Sequence, residues 1–325
     1  MSVMSRKFWS IELIHRDYSE ESLKLATIWV FLIWLVKVLT ESMPTIAMLP
    51  YSVYEPLGMI RFVPASLRPL LLTTPFLEGL RGLLVASLLA VFVVMLLDIR
   101  ALRERRAGEP RPEARLRSEL LRLSPAICAC LLITLYEGVF RGYAGHISHE
   151  DTLLLYSSYF LAGFPIANLI ARRSGRVDSS TNLNAIPVIS ILFTLCLIYT
   201  VVATYRVIYG APDVFTNDSL TFWTLRNSID VLDPGVGLGF SVIDRPWIEV
   251  ILLAGFPVVT FLEFTAPLIL VSVPFRRLWL FVMIPFHIMS WMYMDVLFKE
   301  TLALYLLLID PVTVKDFLVA SLHRR

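Results

Sequence analysis

The sequence predicts an all-α, polytopic transmembrane helix bundle of about eight spans, the last one short, with both termini in the cytoplasm. Three observations predict it. Of 325 residues, 57% are hydrophobic and only 17% charged, with a mean hydropathy of +0.70; soluble domains run nearer to about 45–50% apolar and about 25% charged. Apolar runs recur at the roughly 20-residue length that crosses bilayer hydrocarbon. Lysine and arginine gather in alternate loops.

The runs lie near 25–42, 79–99, 122–140, 152–171, 186–208, 247–272 and 277–297. An eighth, 300–310, is too short for a full crossing and reads as a half-span. Residues 1–24 read as a cytoplasmic segment, 25–312 as one bundle domain, and 313–325 as a short cytoplasmic tail. The first run follows a mostly polar stretch and lacks a small-residue cleavage site, so it is not read as a signal peptide.

Charge orients the bundle. Loops expected inside hold twenty Lys and Arg, including eight arginines from Arg100 to Arg122 and the pair Arg276-Arg277, while the opposite loops hold six. That bias puts both termini inside and requires an even number of crossings. It implies a multi-pass protein of the cell (inner or plasma) membrane, with membrane lipids as partners. The linker 100–122 also carries Glu104, Glu109, Glu113 and Glu119. It reads as a solvated helix and not as a nucleic-acid patch; no nucleic-acid partner is expected. The outer loops are 43–78, rich in proline from Pro44 to Pro75, and 209–246, which carries Asp213, Asp218, Asp230, Asp233 and Asp244. The segment Asp233-Pro-Gly-Val-Gly-Leu-Gly is a turn, since its glycine spacing is wrong for a dinucleotide site. Cys128, Cys130 and Cys196 all sit in apolar runs and form neither a disulfide framework nor a zinc spacing.

Polar residues within the spans are the candidate site. An ionisable group at bilayer depth costs about 2.5–3.5 kcal/mol and usually faces protein or a wet cavity. Glu263 lies on a stripe with Pro257, Thr260 and Pro267. His287 shares a face with Ser290 and Met294, with Trp291 beside it. One reading is a buried pocket with an imidazole and a carboxylate; the other is an interhelical hydrogen bond that fixes packing. His287 is the best acid–base candidate near neutral pH.

Near the start of span four, His146 and His149 stand three apart. The spacing matches no zinc pattern, no metal site is predicted, and Ser148 followed by acidic residues reads equally as a capped helix start. A stripe of His149, Thr152, Tyr156 and Tyr159 continues into the bundle. Arg206 shares a face with Tyr199 and Ala203, and it either snorkels or anchors an anionic group. Glu137 with Arg141, and Lys37 with Glu41, are four apart and read as structural pairs.

These segments carry a resemblance. Glu263-Phe-Thr-Ala-Pro through Arg276-Arg277 to Phe286-His287-Ile-Met resembles the HTTM (horizontally transferred transmembrane) family, which is related to the membrane domain of the vitamin K-dependent gamma-carboxylase. Arg61-Phe-Val-Pro-Ala-Ser-Leu-Arg-Pro-Leu is similar to that family's first lumenal loop, and His149 to the histidine that opens its fourth helix region. Ile198-Tyr-Thr-Val-Val-Ala-Thr-Tyr-Arg206-Val207-Ile resembles the helix that carries the catalytic lysine. Most of residues 20–312 fits at motif strength.

The resemblance implies an outward-facing intramembrane pocket for a quinone or lipid-like cofactor. It makes His287, His149 and Glu263 the catalytic candidates, with Arg206, Tyr199, Tyr156, Ser290 and Trp291 around the cofactor. An enzyme of this kind would be an oxidoreductase or carboxylase-like protein that modifies or matures an exported peptide. The lysine position is Val207, however, and neighbouring Arg206 stays protonated, which argues against vitamin K-dependent carboxylation itself. The alternative is a non-catalytic scaffold, an assembly or immunity partner of another membrane protein. A transporter ranks lower, because inverted repeats with paired broken helices are not evident.

Overall fold

The computed structural model describes residues 18–41, 43–104, 116–143, 149–177, 181–215, 222, 224–226, 238–294, 298–309 and 311–322. The core of the basic linker (105–115), His146, Ser148, Asp218, Asp230, Asp233 and the turn that follows it lie outside the described residues, as do Arg6, Lys7, Arg16, Arg324 and Arg325. The described residues are helical and contain no strand.

The long helices are α1 (Glu20–Thr40), α2 (Thr74–Glu104), α3 (Leu116–Phe140), α4 (His149–Arg173), α5 (Ala185–Gly210), α6 (Pro246–Phe264) and α7 (Val273–Met294). The short α8 (Lys299–Leu304) runs into a 3-10 turn at Tyr305–Leu308, and α9 (Pro311–Leu322) follows. Helices α1 to α6 each supply a stretch long and apolar enough to cross a membrane. Large apolar side chains such as Leu83, Val93 and Leu97 on α2 and Val250 and Phe261 on α6 stay exposed, as lipid-facing surfaces do.

Local rules account for the helix ends. Ser19 caps α1 by accepting from the Ser22 amide at 3.0 Å, and Glu20 and Glu21 occupy the first turn. A short polar acceptor there satisfies an orphan N–H, and the acids complement the helix dipole. Pro75 sits in the first turn of α2 and Pro246 begins α6, where a missing N–H costs no intrahelical bond.

Two expectations are corrected. The sixth apolar run is not one helix to residue 272: α6 stops at Phe264, and a separate turn, Leu268–Val271, follows Pro267. Proline cannot continue the hydrogen-bond ladder, and the residue before it is pushed out of helical geometry. Arg276 and Arg277 do not form a solvated loop either. They are the fourth and fifth residues of α7, and Arg276 is fully buried.

The described residues divide into two compact units: 18–191 with 309–322, and Leu192–Leu308. In the first, α2 packs on α1 and α3, α4 on α1 and α3, and α9 on α1. Its core runs through Trp34, Leu84, Leu88, Ile133 and Leu154. The Trp34 indole donates to Ser158 Oγ at 2.7 Å, tying α1 to α4. At the chain ends, Lys315 of α9 and Arg103 of α2 both meet Glu21, at 2.8 and 2.6 Å. In the second unit, α6 and the Leu268–Val271 turn pack on α7, around Trp279, Met283, Ile269 and Leu304.

Candidate functional site

The second unit holds most of the sequence-predicted site. The break after α6 creates it. Backbone released at membrane depth must find partners within the protein; the Leu262 carbonyl takes a side chain, and the Phe261 and Ala266 carbonyls accept side chains in addition to backbone amides. Thr265 Oγ1 donates to the Phe261 carbonyl at 2.7 Å, the Trp279 indole to the Leu262 carbonyl at 3.1 Å, and Cys196 Sγ to the Ala266 carbonyl at 3.5 Å. The last two of these bonds tie α7 to α6 and α5 to the segment that follows α6.

His287, two turns beyond Trp279 on α7, is 2% exposed. Its Nε2 is 2.7 Å from the Tyr199 hydroxyl and 2.8 Å from the Tyr305 hydroxyl, and the two hydroxyls also meet each other. With Nε2 unprotonated, the two phenol protons align as a relay from Tyr305 to Tyr199 to the imidazole. With Nε2 protonated, the imidazole donates instead. Trp279 stands edge-on to both phenols at centroid distances of 5.3 and 5.1 Å. Phe298 lies 4.8 Å from the imidazole. This is a polar triad inside an aromatic wall. The arrangement can hold a proton, and can move one along the relay away from water.

Glu263 does not support His287 directly. It pairs with Arg206, whose Nη1 also donates to Thr260 Oγ1 at 3.0 Å. The guanidinium lies 4.7 Å from the Phe256 ring, within cation–π range. Thr260, Glu263 and Phe256 occupy neighbouring turns of α6, so the polar stripe read from the sequence exists and its partner is arginine. Arg206 therefore neither snorkels freely nor stands open to an anion. Val207, beside it on α5, is 47% exposed.

The remaining site residues fall differently. Ser290 is buried and donates to the Phe286 carbonyl at 2.9 Å. Trp291 lies at the edge of the buried face of α7 and is 37% exposed. His149 opens α4 in the other compact unit. Tyr156, also on α4, is 46% exposed. The buried face of that helix runs through Leu154, Ser157, Ser158 and Leu161, and Tyr156 falls off it, so the expected stripe does not enter the interior there. Among the described residues no group of His, Cys, Asp and Glu is placed to hold a metal ion.

Two groups escape sequence reasoning. Tyr305 completes the triad and Trp279 walls it, yet each lies in an apolar run where an aromatic residue carries no distinguishing mark. In the first unit, the pairs Lys37–Glu41 and Glu137–Arg141 form as read, at 3.1 and 3.4 Å. They also merge through Asp151, which contacts both Lys37 and Arg141. The sequence shows two separate i,i+4 pairs and an acidic helix start; only the packing of α1, α3 and α4 joins them. The chain matches no family model, no curated protein and no solved structure.

Proposed function

We propose that this is an HTTM-like integral membrane protein that binds a quinone or lipid-like molecule beside His287 and acts in modification or maturation of an exported peptide or protein. In this reading it sits in the cell membrane as a multi-pass bundle. Six helices carry the crossing signal; α7 and the half-length α8 bring the number to eight, with both termini cytoplasmic, as the lysine and arginine bias favours. The observation that carries the reading is the buried imidazole within hydrogen-bond reach of two phenols and enclosed by Trp279 and Phe298. A group of this kind suits proton exchange with a hydroquinone or similar acid, since its own pKa lies near neutrality. Glu263 and Arg206 hold α5 against α6 and so position Tyr199, two turns away on the same face of α5. Carboxylation by a basic lysine is not part of the proposal, because valine occupies that position.

The test is mass spectrometry of the organic extract of protein purified from its native membrane, alongside cellular complementation. The expected result is a near-stoichiometric quinone or polar lipid that is lost in folded His287→Ala, together with loss of complementation. A folded His287→Ala protein that complements fully sinks the catalytic role. A second reading, a non-catalytic assembly or immunity partner, draws on the filling of the interior by side chains: Trp279, Tyr305 and His287 are all nearly inaccessible. Full complementation by His287→Ala favours that reading.

A further inference from the structure

We propose that Lys37, Glu41, Glu137, Arg141 and Asp151 form an intramembrane proton-binding site whose exchangeable proton resides on Glu137. The inference concerns the first compact unit and is independent of the His287 reading. The five groups come from α1, from the end of α3 and the turn after it, and from the start of α4. Their side chains are withdrawn from the surface: Lys37 is 2% exposed, Glu137 1% and Asp151 3%, with Glu41 at 13% and Arg141 at 24% forming the rim.

Among the described residues, three carboxylates face two cations. If all five are ionised, the buried cluster carries one net negative charge, an expensive state without water. The cations are not shared evenly. Glu41 receives Lys37 at 3.1 Å, Arg141 at 3.2 Å and the Tyr136 hydroxyl at 2.8 Å. Asp151 receives Lys37 in a close contact and Arg141 Nε at 2.8 Å. Glu137 is left with the worst of both: Oε2 is 3.4 Å from Arg141, and Oε1 stands 3.7 Å from Lys37 Nζ, beyond hydrogen-bond reach. Oε1 is fully buried and has no hydrogen-bond partner among the described residues. A proton there neutralises the cluster and converts the poorly served oxygen into a hydroxyl.

Among the described residues, the other groups near the cluster do not supply the missing charge. From the segment after α1, Tyr54 donates to the Gly138 carbonyl at 3.3 Å, and burial pushes its phenol up to about 12, so it stays neutral. From α2, Arg81 donates to the Leu39 carbonyl at 2.9 Å. On α1, Trp34 offers only its ring face to Lys37. The proton is taken from bulk water at the Glu41 and Arg141 rim and returned there, and no electrons move.

The experiment is infrared difference spectroscopy of the full chain in lipid nanodiscs, titrated in H2O and D2O. At neutral pH the expected spectrum contains the carbonyl stretch of a protonated carboxylic acid, shifted down in D2O and lost on raising the pH. The band disappears in Glu137→Gln and survives in Glu263→Gln. Asp151→Asn leaves two carboxylates for two cations, so it also abolishes the band at neutral pH although Glu137 is intact. Wild-type protein with no titrating band overturns the proposal, as does a band that persists in Glu137→Gln. A missing band combined with sodium-dependent thermal stabilisation overturns it too, because a metal cation then occupies the proton's place.

Discussion

The hydroxyl of Tyr199 lies 2.7 Å from Nε2 of His287, joining α5 to α7 across 88 positions of sequence. Tyr305 meets the same nitrogen from the short segment that follows α8. Three elements of the second unit therefore converge on one imidazole nitrogen. Removing any member alters the hydrogen bonding of the other two.

Tyr199→Phe and Tyr305→Phe are each expected to cost about 0.5–1.5 kcal/mol, the range for one hydrogen bond between membrane helices. His287→Ala should cost more, roughly 2–3 kcal/mol, because it opens a cavity as well as unpairing hydroxyls. Unfolding of detergent-solubilised protein measures both. The double mutant Tyr199→Phe/Tyr305→Phe should cost less than the sum of the singles, since their hydroxyls share one acceptor. Strict additivity contradicts the triad.

Arg206 and Glu263 make a second prediction. Glu263→Leu strands a guanidinium that is only 18% exposed, and breaking a buried pair one-sidedly is strongly destabilising. Partial exposure reduces the effect, so a loss of roughly 2 kcal/mol is expected. Arg206→Met combined with Glu263→Leu should recover most of it, because an apolar pair of similar volume removes both desolvation costs. A double mutant no better than Glu263→Leu alone would mean the ion pair contributes nothing to the fold.

Much of this arrangement was legible from residue order, and the exceptions have physical causes. Apolar runs announce helices because a lipid-exposed backbone must satisfy itself; α1 to α5 begin and end within several residues of the runs that predict them. The stripe of Thr260 and Glu263 was visible because three-residue spacing puts both on one face. Its partner was not, since Arg206 lies 57 positions away from Glu263 and nothing local distinguishes anchoring an anionic ligand from pairing with a carboxylate. Arg276 misled for a related reason. Two adjacent arginines between apolar runs look like a cytoplasmic turn, yet the break after Glu263 came earlier, at Pro267, and α7 had begun before the arginines were reached. The charge cluster around Lys37 shows the same limit: each pair was readable by helical spacing, and their union through Asp151 was not.

Gly142 provides a prediction about packing. A Cβ placed there would overlap the Tyr54 ring, with Cζ at 2.6 Å. The same ring's hydroxyl holds the Gly138 carbonyl, so it has little freedom to move aside. Gly142→Ala is expected to cost about 1–3 kcal/mol, the range for an overpacked core. Gly79, on α2, has nothing within 4 Å of an added Cβ. Gly79→Ala should therefore stabilise by about 0.5–1 kcal/mol through helix propensity. Thermal unfolding of the two variants side by side reads the contrast, and equal effects would show that Tyr54 does not press on Gly142.

The proposed orientation yields the last prediction. Arg61, in the segment that precedes α2, and Arg100, near the C-terminal end of α2, are well exposed, with side chains 62% and 76% accessible. Helix α2 is 31 residues long, about 46 Å at 1.5 Å per residue, enough to carry its two ends into opposite aqueous phases. The end near Arg100 leads into the arginine-rich linker, and positive charge is retained on the cytoplasmic side. In a background with the three natural cysteines replaced, Arg61→Cys should react with a membrane-impermeant maleimide in intact cells. Arg100→Cys should react only after permeabilisation. Reaction of both in intact cells would refute the crossing by α2, and the reverse pattern would turn the whole charge argument over.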